Sequence, residues 1–184
     1  MLTRAFVTGG SGFVGRHLIA ALRASGTEVR ALARSEKAAH IVQDAGAIPV
    51  PGDLENQQAL QQGMEGCEVV FHLAAMKGMW GHLEDFQRVN VIGTARVLAA
   101  AHTAGVSRVL YTSTEAVLAG GTPLVYVDEK RSRPRRPVGA YAVTKGMAED
   151  LVLAANSPEL ATIIVRPRLI WMVRARTMST RSTG

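Results

Sequence analysis

Two residues four positions apart, Tyr141 and Lys145, have the types and spacing for acid–base chemistry. On a helix they would share one face. A free tyrosine has a pKa of about 10, too high for a base at neutral pH, and a nearby ammonium favours the phenolate. Tyr141 would then exchange the proton of a substrate hydroxyl. The spacing is also compatible with a surface pair on a helix, worth only about 0.2–0.5 kcal/mol.

Hydroxyl side chains at Thr112, Ser113 and Thr114 follow directly after the apolar run at residues 109–111. If that run is a strand, the hydroxyls lie at its carboxyl end. A hydroxyl there is suited to hold the substrate oxygen whose proton Tyr141 exchanges.

A glycine-rich turn at residues 8–15 (TGGSGFVG) lies between an apolar run and a helical pattern that begins near Phe13. Glycines permit backbone angles closed to other residues and let the chain approach a pyrophosphate closely. The helix that follows points its free amides and the positive end of its dipole at the phosphates. This context predicts a dinucleotide site, and a plain strand-to-helix turn is the alternative.

The end of the second predicted strand indicates which dinucleotide binds. A site that prefers NAD usually has an acidic residue there, which binds the ribose hydroxyls. This chain has Arg34, whose guanidinium can pair with a 2′-phosphate and stack on adenine. We therefore expect NADP, with NAD and a solvated Arg34 as the alternative.

Apolar runs of strand length alternate with helical patterns throughout the chain. This order predicts an α/β fold, a doubly wound parallel sheet of the Rossmann type with helices on both faces. Helical patterns begin near residues 13 and 36 and cover about 84–104 and 141–155, whereas residues 119–140 look like a surface excursion. The predicted strands are residues 5–7, 28–33, 47–50, 68–73, 108–112 and 161–166.

These motifs together resemble the extended short-chain dehydrogenase/reductase family over residues 3–171. They most resemble its NAD(P)-dependent epimerases/dehydratases and its 3β-hydroxysteroid dehydrogenase-like and dihydroflavonol reductase-like members. The segments that carry the resemblance are residues 8–15, Gly52-Asp53-Leu54, residues 71–75 (FHLAA), residues 90–94 (NVIGT), residues 111–114 (YTST), residues 141–145 (YAVTK) and Val165-Arg166-Pro167.

The resemblance implies an NAD(P)-dependent oxidoreductase that transfers a hydride at a secondary alcohol or ketone, or a related epimerase. It implies that Thr114, with Ser113 as the fallback, forms the catalytic group with Tyr141 and Lys145. Together with Arg34, it implies a cofactor site made of Gly9, Gly12, Phe13, Val14, Gly15, Arg34, Asp53, Leu54, Leu73, Ala74, Ala75, Tyr141, Lys145 and Pro167.

The composition excludes some classes of protein. The chain has 184 residues, 47% of them apolar, and no run of about 18 apolar residues that would span a membrane. The single cysteine, Cys67, can form neither an internal disulfide nor a thiolate metal cluster, so we expect buried packing and no metal site. The net charge of +6 comes partly from the arginines of residues 131–136, interpreted as a solvated loop, and does not indicate a nucleic-acid partner. The start of the chain shows no secretory signal, which predicts a cytoplasmic protein.

The chain departs from the family pattern after Trp171. We expect residues 1–171 to form the NAD(P)-binding domain, with the C-terminal substrate domain largely missing, and residues 172–184 to form an irregular, poorly ordered tail. One hypothesis is that this tail is translated out of frame: back-translated with GC-rich codons and read two bases later, it becomes Gly-Pro-Gly-Pro-Asp-Asp-Val-Asp. A natural short tail is the alternative.

Three functions remain open from the sequence. The first is an oxidoreductase acting on a small molecule, with steroid-like or small carbonyl substrates favoured because Met76, Met79 and Trp80 make the loop near the site apolar. These side chains are interpreted either as the lining of an apolar site or as packing and loop cover. The second is a dinucleotide-binding regulator or inactive fragment without turnover. The third is an oligomeric scaffold, since a sheet that lacks its last strand leaves an open edge. His72, which ends a predicted strand, is interpreted as a packed core residue rather than a catalyst.

Overall fold

The sheet consists of six parallel strands in the order β3-β2-β1-β4-β5-β6. The computed structural model describes residues 2–78, 80–168 and 170. Met79 and residues 171–184 lie outside them. The expectation for the apolar loop falls partly on these residues, and the expectation for the tail falls wholly on them. The predicted doubly wound fold is confirmed. The strands are β1 (Arg4–Thr8), β2 (Glu28–Ala33), β3 (Ile48–Pro51), β4 (Val69–His72), β5 (Arg108–Thr112) and β6 (Ala161–Val165).

The helices follow the predicted pattern with one addition. The predicted helix at 84–104 is continuous from residue 83 to residue 103, and its middle turn is π-helical. Helix α3 (Gln57–Met64) was not predicted, because its glutamines hide the apolar period. Asn56 caps this helix, since its side-chain oxygen accepts from the Ala59 amide at 3.0 Å. The helices are α1 (Phe13–Ala24), α2 (Glu36–Asp44), α3 (Gln57–Met64), α4 (Leu83–Phe86), the π turn (Gln87–Ile92), α5 (Gly93–Thr103), a 3₁₀ turn (Glu115–Leu118) and α6 (Gly139–Ala154).

The core has two layers because strand side chains alternate between the faces of the sheet. Phe6 points into the layer under α3, α5 and α6, whereas its neighbour Val7 points into the layer under α1 and α2. Cys67 is buried in the first layer, as predicted. Each layer closes one face of the parallel sheet, which leaves the carboxyl ends of the strands as the place for a site.

Strand β6 forms one edge of the sheet. On the face that α1 and α2 cover elsewhere, its Ile163 is 51% exposed and its Val165 is 36% exposed. Strand β6 is thus an edge strand of the described sheet, and part of its face is left uncovered there.

The segment at residues 119–138 lies on the surface, as predicted, but one of its arginines is not solvated. Arg133 donates hydrogen bonds to the Gly146 carbonyl and to the Asp150 carboxylate of α6. Interpreting the whole arginine run as a solvated loop is therefore wrong at this position. Within the described part of the chain, no helix is long and apolar enough to cross a membrane.

A buried chain of hydrogen bonds joins β1, β4 and the helix at residues 83–103 through His72. The Thr94 hydroxyl donates to the Asn90 carbonyl at 2.6 Å, so it accepts from His72 Nε2 at 3.0 Å. His72 Nδ1 then accepts from the Thr8 hydroxyl at 2.6 Å, and that hydroxyl in turn accepts from the Ala74 amide at 3.2 Å. Both ring nitrogens are satisfied, which confirms His72 as a packed core residue.

The neutral state of His72 makes the stability of the fold depend on pH. Burial lowers its pKa to about 3 from an ordinary value of 6.5, with a smaller contribution from the Lys145 charge. Because the unfolded chain takes up this proton below pH 6.5 and the folded chain does not, stability is fully present above pH 6.5. It falls by about 1.4 kcal/mol for each pH unit below that value. Urea denaturation between pH 7 and about pH 4.5 measures the slope.

A variant that cannot titrate isolates the His72 contribution. We expect His72→Gln to reduce this slope by about 1.4 kcal/mol per pH unit, the contribution of one proton. His40→Gln, at an exposed position of α2, should leave the slope near that of the wild type. Equal slopes for the wild type and His72→Gln would mean that His72 is not held neutral in the fold.

Candidate active site

A cleft of about 910 Å³ opens at the carboxyl ends of the strands. It lies where the strand order reverses between β1 and β4. Open parallel α/β sheets bind their ligands at such a switch point. The cleft is therefore the natural candidate site.

Every residue predicted for the site lies on the wall of this one cleft. Residues distant in sequence meet here because each follows the end of a parallel strand or begins the helix after it. The predicted residues found on the wall are Gly9, Gly12, Phe13, Val14, Gly15, Arg34, Asp53, Leu54, Leu73, Ala74, Ala75, Thr114, Tyr141, Lys145 and Pro167.

The glycine turn packs too closely against its surroundings for side chains at two positions. A Cβ on Gly15 would lie 2.4 Å from the Gly9 carbonyl oxygen, and a Cβ on Gly9 would lie 2.7 Å from the Ala74 amide nitrogen. Gly9 also has φ +72°, a conformation that favours glycine. The turn thus brings the first residues of α1 to the cleft, where their free amides can face a phosphate.

The end of the cleft beside β2 and β3 carries Arg34 and Asp53. Arg34 is exposed on the wall. Asp53 Oδ1 accepts from the Glu55 and Asn56 amides at 2.8 and 3.1 Å, which fixes the carboxylate at the turn after β3. This end therefore offers a fixed carboxylate and an exposed guanidinium to a ligand.

Tyr141 and Thr114 meet on the opposite side of the cleft. Burial raises the pKa of the Tyr141 phenol, and a hydrogen bond from the Thr114 side chain opposes that rise. Thr114 also caps the 3₁₀ turn, because its Oγ1 accepts from the Ala116 amide at 3.2 Å. The neighbouring Ser113 is buried, and its hydroxyl has no partner among the described residues. Both residues line the cleft, and of the two only Thr114 affects the pKa of Tyr141.

Lys145 is buried and turned toward β5. Its ammonium donates to the Thr112 carbonyl at 2.7 Å and lies 4.0 Å from the centre of the Tyr111 ring. Burial lowers the pKa of Lys145 to about 7, and the Glu149 carboxylate opposes that fall.

The predicted effect of Lys145 on Tyr141 needs correction. In this structure the pKa of Tyr141 is raised and not lowered, because burial dominates. The Lys145 ammonium bonds to the Thr112 carbonyl and is not among the groups that shift the phenol. The proximity of the two residues on one helix face is as predicted, but a phenolate is not favoured here.

Three basic residues on the wall, Lys77, Arg88 and Arg168, were not predicted. Lys77 follows the segment 73–75 by two positions, and Arg168 directly follows Pro167, so extending those motifs would have found both. The apolar loop contributes less than predicted: neither Met76 nor Trp80 is on the wall, and Trp80 is 87% exposed. Asn90 holds both main-chain groups of Met76, at 2.7 and 3.0 Å, which fixes the backbone of that loop.

Comparison with curated proteins finds relatives named as reductases. The chain is 53% identical over 168 residues to a 4-hydroxy-2-methyl-3-oxo-4-farnesyl-3,4-dihydroquinoline-1-oxide ketoreductase of Stigmatella aurantiaca, covering 91% of this chain and 50% of that protein. It is 41% identical over 170 residues to a 2-alkyl-3-oxoalkanoate reductase of Stenotrophomonas maltophilia, covering 90% and 50%. The chain thus spans about half the length of these relatives.

Solved structures with bound NAD share the fold. One is MoeE5 in complex with UDP-glucuronic acid and NAD, with a TM-score of 0.76 and 34% identity over 89% of this chain and 54% of that one. Another is a short-chain dehydrogenase/reductase superfamily protein from Agrobacterium tumefaciens with bound NAD, with a TM-score of 0.75 and 35% identity over 89% and 48%.

A family profile matches nearly the whole chain, over residues 6–182. The family's name, the reductase names of the relatives and the bound NAD of the solved structures agree with the motifs, the sheet order and the cleft. The chain belongs to the 3-beta hydroxysteroid dehydrogenase/isomerase family.

Proposed function

We propose that this chain is the cofactor-binding and catalytic part of an NADP-dependent ketone reductase. The observation that carries the proposal is that Thr114, Tyr141 and Lys145 lie on the same cleft as the glycine turn and Arg34. A dinucleotide with its pyrophosphate at the glycine turn can extend toward Tyr141 within this one cleft. The names of the relatives support a ketone over a nucleotide sugar as the substrate class.

The close backbone approach at Gly9 and Gly15 fits a dinucleotide. In the proposal the amides of Phe13 and Val14 hold the pyrophosphate, Asp53 contacts the adenine, and Leu73, Ala74 and Pro167 line the nicotinamide end. When bound, the nicotinamide supplies the hydride.

The chain's own residues handle the proton. The Thr114 hydroxyl orients the substrate oxygen, and Tyr141 gives its phenolic proton to that oxygen as the carbonyl becomes an alcohol. The raised pKa of Tyr141 keeps the phenol protonated at neutral pH, which suits a proton donor in the direction of reduction. Lys145 donates to the Thr112 carbonyl and not to the phenol, so in the proposal its ammonium contributes to the cofactor site and not to release of the Tyr141 proton.

Replacing Arg34 tests the choice of cofactor. We expect Arg34→Ala to weaken NADPH binding about tenfold, equivalent to about 1.4 kcal/mol, through loss of a charge-assisted contact to the 2′-phosphate. NADH lacks that phosphate, so the affinity for NADH should change little. Fluorescence titration with both nucleotides measures the two dissociation constants.

Arg108→Ala is the matched control, because it removes the same charge at the amino end of β5, away from the cleft. Its affinities for both nucleotides should stay at wild-type values. Equal losses of NADPH and NADH affinity in Arg34→Ala would contradict a 2′-phosphate contact.

Replacing Tyr141 tests turnover. With a panel of 3-oxo acids, cyclic ketones and nucleotide sugars, we expect Tyr141→Phe to lower the rate of NADPH oxidation at least about a hundredfold, the usual contribution of a general acid. NADPH affinity should remain within about threefold, because one hydroxyl is lost. Tyr126→Phe removes a phenol from a fully exposed loop position and should leave the rate unchanged.

The same assay separates the enzyme from the regulator. If wild-type protein binds NADPH but oxidises it with no member of the panel, a dinucleotide-binding function without turnover replaces the proposal. Turnover that Tyr141→Phe retains would instead remove Tyr141 from the mechanism.

A further inference from the structure

One ion pair beside the proposed catalytic group has no role in the chemistry described so far. Glu149 is completely buried, and both of its carboxylate oxygens accept from Arg166, from Nε at 2.8 Å and from Nη2 at 2.7 Å. A planar bidentate pair of this kind fixes the orientation of both side chains. A completely buried carboxylate is costly without such a partner, so the site is built around the pair.

Glu149 lies one helical turn after Lys145 on α6, so the two share a face of the helix. The Lys145 ammonium donates its hydrogen bond to the Thr112 carbonyl, so the carboxylate acts on it through its charge.

The other titratable groups around Lys145 do not supply a compensating charge. His72 on β4 is neutral, and the phenols of Tyr111 on β5 and Tyr141 on α6 both have raised pKa values. Glu115 on the 3₁₀ turn pairs with Arg168, 3.1 Å away, at the cleft wall. Within the described residues, Glu149 is thus the carboxylate that offsets the burial of the ammonium.

Arg166 connects this carboxylate to another part of the cleft wall. It follows the last residue of β6 and precedes Pro167, which lines the cleft. The chain on either side is held to the end of β5, because the Ser113 amide donates to the Val165 carbonyl at 2.7 Å and the Glu115 amide donates to the Pro167 carbonyl at 3.2 Å. The ion pair therefore ties α6 to the segment that carries Pro167.

We propose that Glu149 and Arg166 are positioning residues for the Tyr141–Lys145 pair. Arg166 keeps Glu149 ionised inside the protein, and ionised Glu149 keeps Lys145 an ammonium in the buried cleft. The role assigned to Lys145 rests on the proposed function, whereas the charge coupling among the three residues stands without it.

The proposal predicts that two substitutions, which remove opposite charges, both lower the pH at which Lys145 loses its proton. In Glu149→Gln the negative charge is lost, and Lys145 gives up its proton at a lower pH. In Arg166→Met the buried carboxylate has lost its partner and takes up a proton, so Lys145 again loses the negative charge beside it. If Arg166 acted on Lys145 only as a nearby positive charge, its removal would instead make the lysine hold its proton to higher pH.

The titration of Lys145 in the chain without nucleotide provides the test. Lysine labelled with ¹³C at the ε position gives one resonance each for Lys37, Lys77, Lys130 and Lys145, and Lys145→Arg identifies the last. We expect the midpoint to fall by about half a pH unit or more in both Glu149→Gln and Arg166→Met, at least about a threefold change in the protonation ratio. Arg166→Lys, which keeps the charge, should stay closer to the wild type.

Asp150→Asn is the matched control, since it removes a carboxylate from the next position of α6, which is exposed and pairs with Arg133. Its Lys145 midpoint should not move. An unchanged midpoint in Glu149→Gln, or a raised midpoint in Arg166→Met, would overturn the proposal; if Arg166→Met does not fold, Glu149→Gln decides. No nucleotide is present in this titration, so its result can be interpreted even if the protein does not bind NADPH.

A second readout separates positioning from folding alone. We expect the NADPH affinity of Glu149→Gln to fall below that of the wild type most between the lowered midpoint of its own Lys145 and about pH 7, where only the wild-type lysine is largely protonated. At lower pH both lysines are protonated, and the two affinities should converge. An equal loss at every pH, with an unchanged lysine titration, would indicate that the pair only stabilises the fold.

Discussion

The contact between the ends of β1 and β4 is the constraint on which the cleft depends. Thr8 at the end of β1 and His72 at the end of β4 are joined at 2.6 Å, and Gly9 packs against the Ala74 amide with no room for a side chain. This contact holds the glycine turn against the segment 73–75, so these two parts of the cleft wall are fixed relative to each other. A side chain at Gly9 or a charge on His72 would force them apart.

The same buried network extends to the helix that carries Tyr141 and Lys145. Asn90 holds Met76 by both main-chain groups and donates to the Thr144 hydroxyl on α6 at 3.1 Å. The π turn of the helix at residues 83–103 includes Asn90, and such turns often occur at functional sites. The position of α6 is thus tied by hydrogen bonds to the walls that would hold the dinucleotide, and both ends of the cleft depend on one polar core.

Electrostatics at the catalytic end depend on burial more than on proximity. Four-residue spacing alone predicts that Lys145 acts on Tyr141, but burial shifts the pKa of the phenol upward and that of the ammonium down to about 7. Glu149 opposes that fall for the ammonium, and Arg166 holds the Glu149 carboxylate in the interior by binding both of its oxygens. The charges of Glu149 on α6 and of Arg166 directly after β6 therefore act together, although the two residues are distant in sequence.

The sequence by itself determined the class of fold, the order of the six strands, the glycine turn and the set of residues that meet at the cleft. The fold and the glycine turn follow from local signals, namely apolar period and glycine spacing, whereas most of the cleft residues were expected from the resemblance to the family. The sequence did not predict α3, because the glutamines of this helix obscure the apolar face that Leu60 and Met64 form against the sheet. Nor did it reveal that Arg133 leaves the surface loop to bind α6.

Only the tertiary structure decided the charge states and the partners inside the cleft. The spacing of Lys145 and Glu149 was visible in the sequence, but Arg166 reaches Glu149 only because β6 runs beside β5 and under α6. Burial, which sets the pKa values of His72, Tyr141 and Lys145, is a property of the packed molecule. A sequence pattern gives the residues that can do chemistry, whereas desolvation and long-range pairing, which need the fold, set the protonation state in which they do it.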